Sequence, residues 1–347
     1  MPSISATTIL VLLFGLTAVL VAASFPAGIY AVLHGGLSST LGFGSFVTTF
    51  LWVGPVPAIF PFTVPLGALF LLLMAIYAVL FAVGWMQPKS PLDAIREAYK
   101  NGVGSLLTSP FLVILVAIGF LNFTADVIVQ ISQAAAGSVG NPFSGVDYLL
   151  EFGSLTFAPL REEFGFRLVL IGLVAFILSM GKPLKEAAKS LWRPSAAYEG
   201  AIVGGAVATI IWIATGASAV TFGICHVTCG GGNSWSWSKF PEAAWGGLVL
   251  GYLYVRYGFH VAVLTHWGLD YLGSVFAYFG QSAYGIPFGS TTTQFFGEYL
   301  VGLDLVLLLG ISSFVLVVYL GVKRLSERKK IEELDFNGLP KGGGLEP

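Results

Sequence analysis

Long apolar runs, separated by short polar interruptions, follow one another along almost the whole chain. About 20 consecutive apolar residues are what a helix needs to cross the hydrocarbon core of a bilayer. Read by continuous apolarity and by the breakers at their ends, eight such spans fall at about 7–33, 64–86, 107–131, 160–180, 201–226, 243–256, 259–279 and 297–322. Lipid offers no partner to a bare backbone N–H or C=O, so the pattern predicts an all-α, polytopic integral membrane helix bundle. One stretch departs from it. WVGPVPAIFPFTVP, from Trp52, holds Pro55, Pro57, Pro61 and Pro65, too many for a straight span, and is expected to be an extracytosolic or re-entrant segment.

Composition agrees: 56% of the 347 residues are hydrophobic and only 10% are charged, which excludes an ordinary soluble globule. A net charge of −1 leaves no basic face for nucleic acid. Position is more informative than total. Lys89, Arg96 and Lys100 share one loop; Lys182, Lys185, Lys189 and Arg193 another; Arg256 a third; and KRLSERKK follows the last span. With eight spans all of these fall on one side, so both termini are expected in the cytosol. Residues 1–330 read as a single transmembrane domain, and 331–347, acidic and then Gly-rich, as a disordered tail. The small-xxx-small spacing of Gly247 and Gly251 marks a close helix contact.

Against that background the ionisable residues inside spans stand out, because each costs about 2.5–3.5 kcal/mol to place at membrane depth on insertion scales. They are Asp126 in the third span, Glu162, Glu163 and Arg167 opening the fourth, His226 closing the fifth, His266 and Asp270 in the seventh and Asp304 in the eighth. In LREEFGFRLVL, Glu163 and Arg167 stand four apart on one helix face and can pair. Glu162 is turned by about 100° and lacks that partner. An unpaired carboxylate in an apolar setting suits a general base. The alternative is an interfacial charge cluster that includes Arg161.

His226 lies in FGICHVTCG, and His266 and Asp270 share a face in THWGLDY. One pocket can gather Glu162, His226, His266 and Asp270 from three helices. Neither GxSxG nor HExxH occurs. Cys225 and Cys229 flank His226 as possible nucleophiles, although thiols at an apolar helix end are ordinarily inert packing; they are too few and too close for a disulfide framework. Water activated by Glu162 is simpler. The same four residues are also candidate ligands for zinc or a similar divalent ion. A reading from another class is an ion- or proton-coupled transporter, with Asp126 and Asp304 in its relay.

Taken in order, EEFGFR, FGICH and HWGLD fit EExxxR, FxxxH and HxxxN/D, and with the lead-in EAAWGGLVLGYLYVRYGFHVAVLTHWGLD they resemble the CPBP family of intramembrane proteases, which includes the CAAX prenyl endoprotease. The resemblance covers about residues 150–275. It implies hydrolysis of a peptide bond in a membrane-associated or lipid-anchored, even prenylated, substrate. Glu162 and His226 would activate water, His266 and Asp270 would stabilise the oxyanion, and Glu163 and Arg167 would support them. The family often has Asn at the last motif position; Asp270 donates a hydrogen bond there only when protonated. The resemblance implies glutamate-type catalysis with no cofactor.

Overall fold

A computed structural model describes residues 5–35, 46–144, 146–199, 204–229, 235–286 and 303–338. The first apolar run becomes α1 (Ala6–His34), capped where the Ser5 hydroxyl accepts the Thr8 N–H at 3.2 Å. A hairpin follows, then α2 (Leu66–Trp85). The short amphipathic α3 (Pro91–Asn101) starts at a Ser90 cap with proline at its first position. It leads to α4 (Pro110–Ala136). α5 (Tyr148–Glu163), a π-helical segment (Phe164–Gly172) and α6 (Leu173–Leu178) form one continuous helix. The amphipathic α7 (Leu184–Trp192), α8 (Gly204–Thr228), α9 (Phe240–Tyr257), α10 (Phe259–Asp270), α11 (Val275–Tyr284) and α12 (Leu303–Gly338) complete the bundle.

Among the described residues, α1, α2, α4, 205–228 of α8 and 308–327 of α12 are each long and apolar enough to cross a bilayer. The other expected spans carry the charges or a break. α10 has 12 residues, about 18 Å of helix, against a hydrocarbon core of about 30 Å. Phe259 to Gly268 are all buried, and α10 packs against α2, α4, α5 and α9, so it is the central helix of the bundle.

Three expectations change. The fourth span does not open at residue 160: its helix begins at Tyr148, capped by Asp147, and runs through Pro159, so Glu162 lies near its middle. Pro159 removes one helical hydrogen bond without ending the helix, and a wider π segment follows over Phe164–Gly172. The seventh span, expected unbroken over 259–279, breaks at 271–274. Asp270 is the last residue of α10, and the turn stays satisfied: the Ser274 hydroxyl donates to the Asp270 carbonyl at 2.9 Å and the Val275 N–H to the Tyr271 carbonyl at 2.9 Å. Irregular backbone is tolerated where its polar groups are satisfied, as these bonds satisfy them here, and the side chains of Tyr271 and Leu272 are buried against the bundle. The last helix runs on through Gly338 into the expected tail; 339–347 lie outside the described residues, as do 297–302 of the eighth span.

The proline-rich stretch forms an antiparallel hairpin, β1 (Phe46–Val53) and β2 (Val56–Pro65). Gly54, at φ +60°, makes the two-residue turn with Pro55. Trp52 faces Pro57 in the next pair, a non-hydrogen-bonded position where proline's missing N–H is not needed. Gly247 and Gly251 do bring α9 close to α8: a Cβ on Gly247 would lie 2.9 Å from the Ala219 Cα, and one on Gly251 2.7 Å from the Thr215 Cγ2.

Candidate active site

α5 and its π segment bring Glu162, Glu163 and Arg167 against the C-terminal ends of α8 and α10. Glu163 and Arg167 are fully buried, and Glu163 Oε2 lies 3.1 Å from Arg167 Nε. Glu163 Oε1 accepts the Nδ1–H of His266 at 2.9 Å. One carboxylate thus joins the π segment to α10. The Arg167 guanidinium sits 4.4 Å over the Phe222 ring, and its Nη2 reaches the Gly247 carbonyl at 3.5 Å. Ser218 donates to the Phe166 carbonyl at 2.5 Å, tying α8 to the same segment.

The second nitrogen of His266 faces two further carboxylates. Nε2 is 3.5 Å from Asp270 Oδ2 and 3.8 Å from Glu162 Oε2. Glu162 is 14% exposed and Asp270 19%, because both border a cavity of ≈ 490 Å³ that His226 and His266 also line. His226 Nδ1 lies 3.0 Å from the Phe222 carbonyl. That oxygen can only accept, so Nδ1 carries the hydrogen and Nε2 is left for other partners. Phe222 meets both imidazoles edge-on, with centroids 4.5 Å from His226 and 5.9 Å from His266, and so spaces them. Among the described residues, Glu162 and His226 form no ion pair with each other; they border the cavity separately.

The four residues expected to share a pocket do share one, with Glu163 and Arg167 behind them. Asp126 is exposed on α4 and does not line the cavity; the side chain of Asp304 lies outside those described. Among the described residues, no three His, Cys, Asp or Glu side chains are disposed as ligands of one ion. Cys225 and Cys229, expected as packed thiols, are joined in a disulfide across the last turn of α8. Residues four apart on a helix face each other closely enough for this, and the bonded sulfurs offer no thiolate.

Several cavity residues escaped the sequence reading. The hairpin contributes Phe50, Trp52, Pro57 and Ile59. It comes this close because the π segment carries Gly165, where a Cβ would stand 2.3 Å from the Trp52 Cβ and 2.8 Å from its carbonyl oxygen. Arg161, read as interfacial, lines the cavity, its guanidinium 4.6 Å over the Phe50 ring and 5.7 Å from the Phe157 ring. Lys239 also lines it but is paired with Glu242 at 2.6 Å. The available signals were the aromatic and proline density of 50–65 and the adjacency of Arg161 to Glu162. Neither distinguishes a lining residue from an interfacial one without the packing.

No curated protein and no solved structure matches the chain. A family model described as "Type II CAAX prenyl endopeptidase Rce1-like" matches residues 146–272, which begin beside the α5 cap and end just past α10, and so take in every motif residue around the cavity while leaving out the hairpin. Residues 146–272 of this integral membrane protein are thus similar to the Rce1-like type II CAAX prenyl endopeptidases, which supports its kinship with the CAAX proteases.

Proposed function

We propose that the protein hydrolyses a peptide bond in a lipid-anchored, prenylated CAAX-type substrate, using a water molecule held between Glu162 and His226. The observation that carries this reading is the convergence of Glu162, His226, His266 and Asp270 on one cavity, with His266 pinned from behind by Glu163. Glu162 takes a proton from the water as its oxygen attacks the scissile carbonyl, and His226, through Nε2, orients that water. The carbonyl π electrons move onto oxygen. His266, with Nδ1 held by Glu163, presents an Nε2–H to that oxyanion in its doubly protonated form. Collapse of the tetrahedral adduct breaks the C–N bond, and the proton on Glu162 passes to the departing amine. Asp270, beside His266 Nε2, holds the imidazole in place.

Both termini are proposed to be cytosolic. The basic loops support this, and so does the disulfide at the end of α8, which that orientation places on the extracytosolic side, where disulfides persist.

The test is incubation of the detergent-solubilised protein with a farnesylated CAAX peptide and its unmodified counterpart, with products identified by mass. Cleavage of the farnesylated peptide is expected, with loss in Glu162→Ala. Equal cleavage by that variant overturns the mechanism, and loss of wild-type activity on chelation, restored by Zn²⁺, would establish the metal-dependent alternative.

A further inference from the structure

Arg161 has no part in the steps above, yet its side chain reaches the cavity. The other two cations there or directly behind are compensated: Arg167 by Glu163 at 3.1 Å and Lys239 by Glu242 at 2.6 Å. Arg161 is within ion-pairing distance of no described carboxylate, and its Nε is sealed from solvent without a hydrogen-bond partner. The carboxylates nearest in the cavity, Glu162 and Asp270, face His266 instead. The Phe50 and Phe157 ring centres lie 4.6 Å and 5.7 Å from the Arg161 Cζ; aromatic rings accept no strong hydrogen bond, so the guanidinium fork is suited to a planar bidentate acceptor. A largely enclosed cation that forms no close ion pair, and that Glu162 and Asp270 offset only from a distance, gains from an anion that completes it.

Resting on the endopeptidase reading, we propose that Arg161 is a substrate-binding residue that receives a carboxylate of the peptide close to the scissile bond. Arg161 immediately precedes Glu162 on α5. A cavity of ≈ 490 Å³ takes only a short length of peptide beside the reacting carbonyl. The carboxylate is therefore either the free C-terminus of a short leaving peptide or an acidic side chain near it. The hairpin sets the guanidinium for this through Phe50, which lies outside the family-matched segment.

The experiment compares three farnesylated peptides that differ only at the C-terminus: the free acid, its carboxamide, and a carboxamide ending in Asp. Binding is followed by tryptophan fluorescence alongside hydrolysis, so that a failure to cleave leaves the affinity comparison intact. Wild-type protein is expected to bind the acid about 10–100-fold more tightly than the plain carboxamide, the range of one or two charge-assisted hydrogen bonds. Tight binding of the Asp-terminated carboxamide assigns the site to a side-chain carboxylate, and weak binding assigns it to the free C-terminus. Arg161→Gln is expected to reduce the acid preference to about 1, and Arg161→Lys to restore part of it. Equal wild-type affinity for acid and plain carboxamide overturns the proposal, as does an acid preference that survives in folded Arg161→Gln. If no peptide is hydrolysed while the acid preference is seen and depends on Arg161, the endopeptidase reading fails and the carboxylate site stands.

Discussion

Glu163 accepts the Nδ1–H of His266 at 2.9 Å across two helices 103 residues apart in sequence, and its other oxygen faces Arg167. The carboxylate fixes which imidazole nitrogen faces the cavity, much as an outer carboxylate orients a ligand or a catalytic histidine. Glu163→Gln keeps the size and an acceptor oxygen but surrenders the charge that offsets buried Arg167, and is expected to lower kcat about 10–100-fold while destabilising less than removal of the whole side chain. Glu163→Ala also strands buried Arg167, and is expected to destabilise by about 3–5 kcal/mol. Thermal melting and kcat measured on both variants separate positioning from folding; wild-type kcat in Glu163→Gln would contradict the role.

Asp270 stands 3.5 Å from His266 Nε2. If its task is to hold the imidazole, an amide oxygen at the same place does much of it. Asp270→Asn is expected to keep activity within about tenfold of wild type, whereas Asp270→Ala falls further, by about 10–100-fold. A steady-state comparison on one peptide decides this, and equal losses in the two variants would refute it.

Gly165 lets the hairpin lie directly on the π segment. A Cβ there would sit 2.3 Å from the Trp52 Cβ, and the obstruction includes backbone, which cannot rotate away. Gly165→Ala is expected to lift the hairpin, raise KM several-fold and expose Trp52, since the lost contacts line the substrate cavity and not the His266 support. Trp52 accessibility to a fluorescence quencher, compared with Gly165→Ala in which Trp52 is replaced by Phe, reads the displacement. An unchanged KM and unchanged quenching would show that the hairpin does not shape the site.

The Cys225–Cys229 bond lies one residue before and three after His226. If water is the nucleophile, replacing both cysteines with alanine is expected to leave kcat within about threefold of wild type while loosening the last turn of α8, because no bond-making step passes through sulfur. Peptide hydrolysis by the double variant checks this. Loss of a covalent acyl intermediate together with all turnover would instead point to a thiol nucleophile.

How much of this was legible beforehand differs from element to element. The expected spans at 7–33 and 64–86 correspond closely to α1 and α2, because uninterrupted apolar runs leave a helix as the one way to satisfy the backbone in lipid. The fourth and seventh spans were mis-bounded at the site itself. Pro159 reads as a breaker in one dimension, yet the helix runs through it, and the break at 271–274 is held by tertiary contacts such as the Tyr271 hydroxyl donating to the Ser24 carbonyl on α1 at 2.7 Å.

The order of charged and apolar residues by itself determined that the chain is a helical membrane protein, which polar residues are out of place in it, and, through the spacing of four, that Glu163 can meet Arg167 and His266 can meet Asp270. These are local consequences of helix periodicity and of the energy of charge in lipid. Only the tertiary structure decided that Glu163 reaches His266, that Arg161 turns into the cavity instead of the interface, and that a hairpin distant in sequence covers both. Those outcomes depend on which helix faces meet and on how closely backbones approach, as at Gly165, and no pattern along a single segment carries that information.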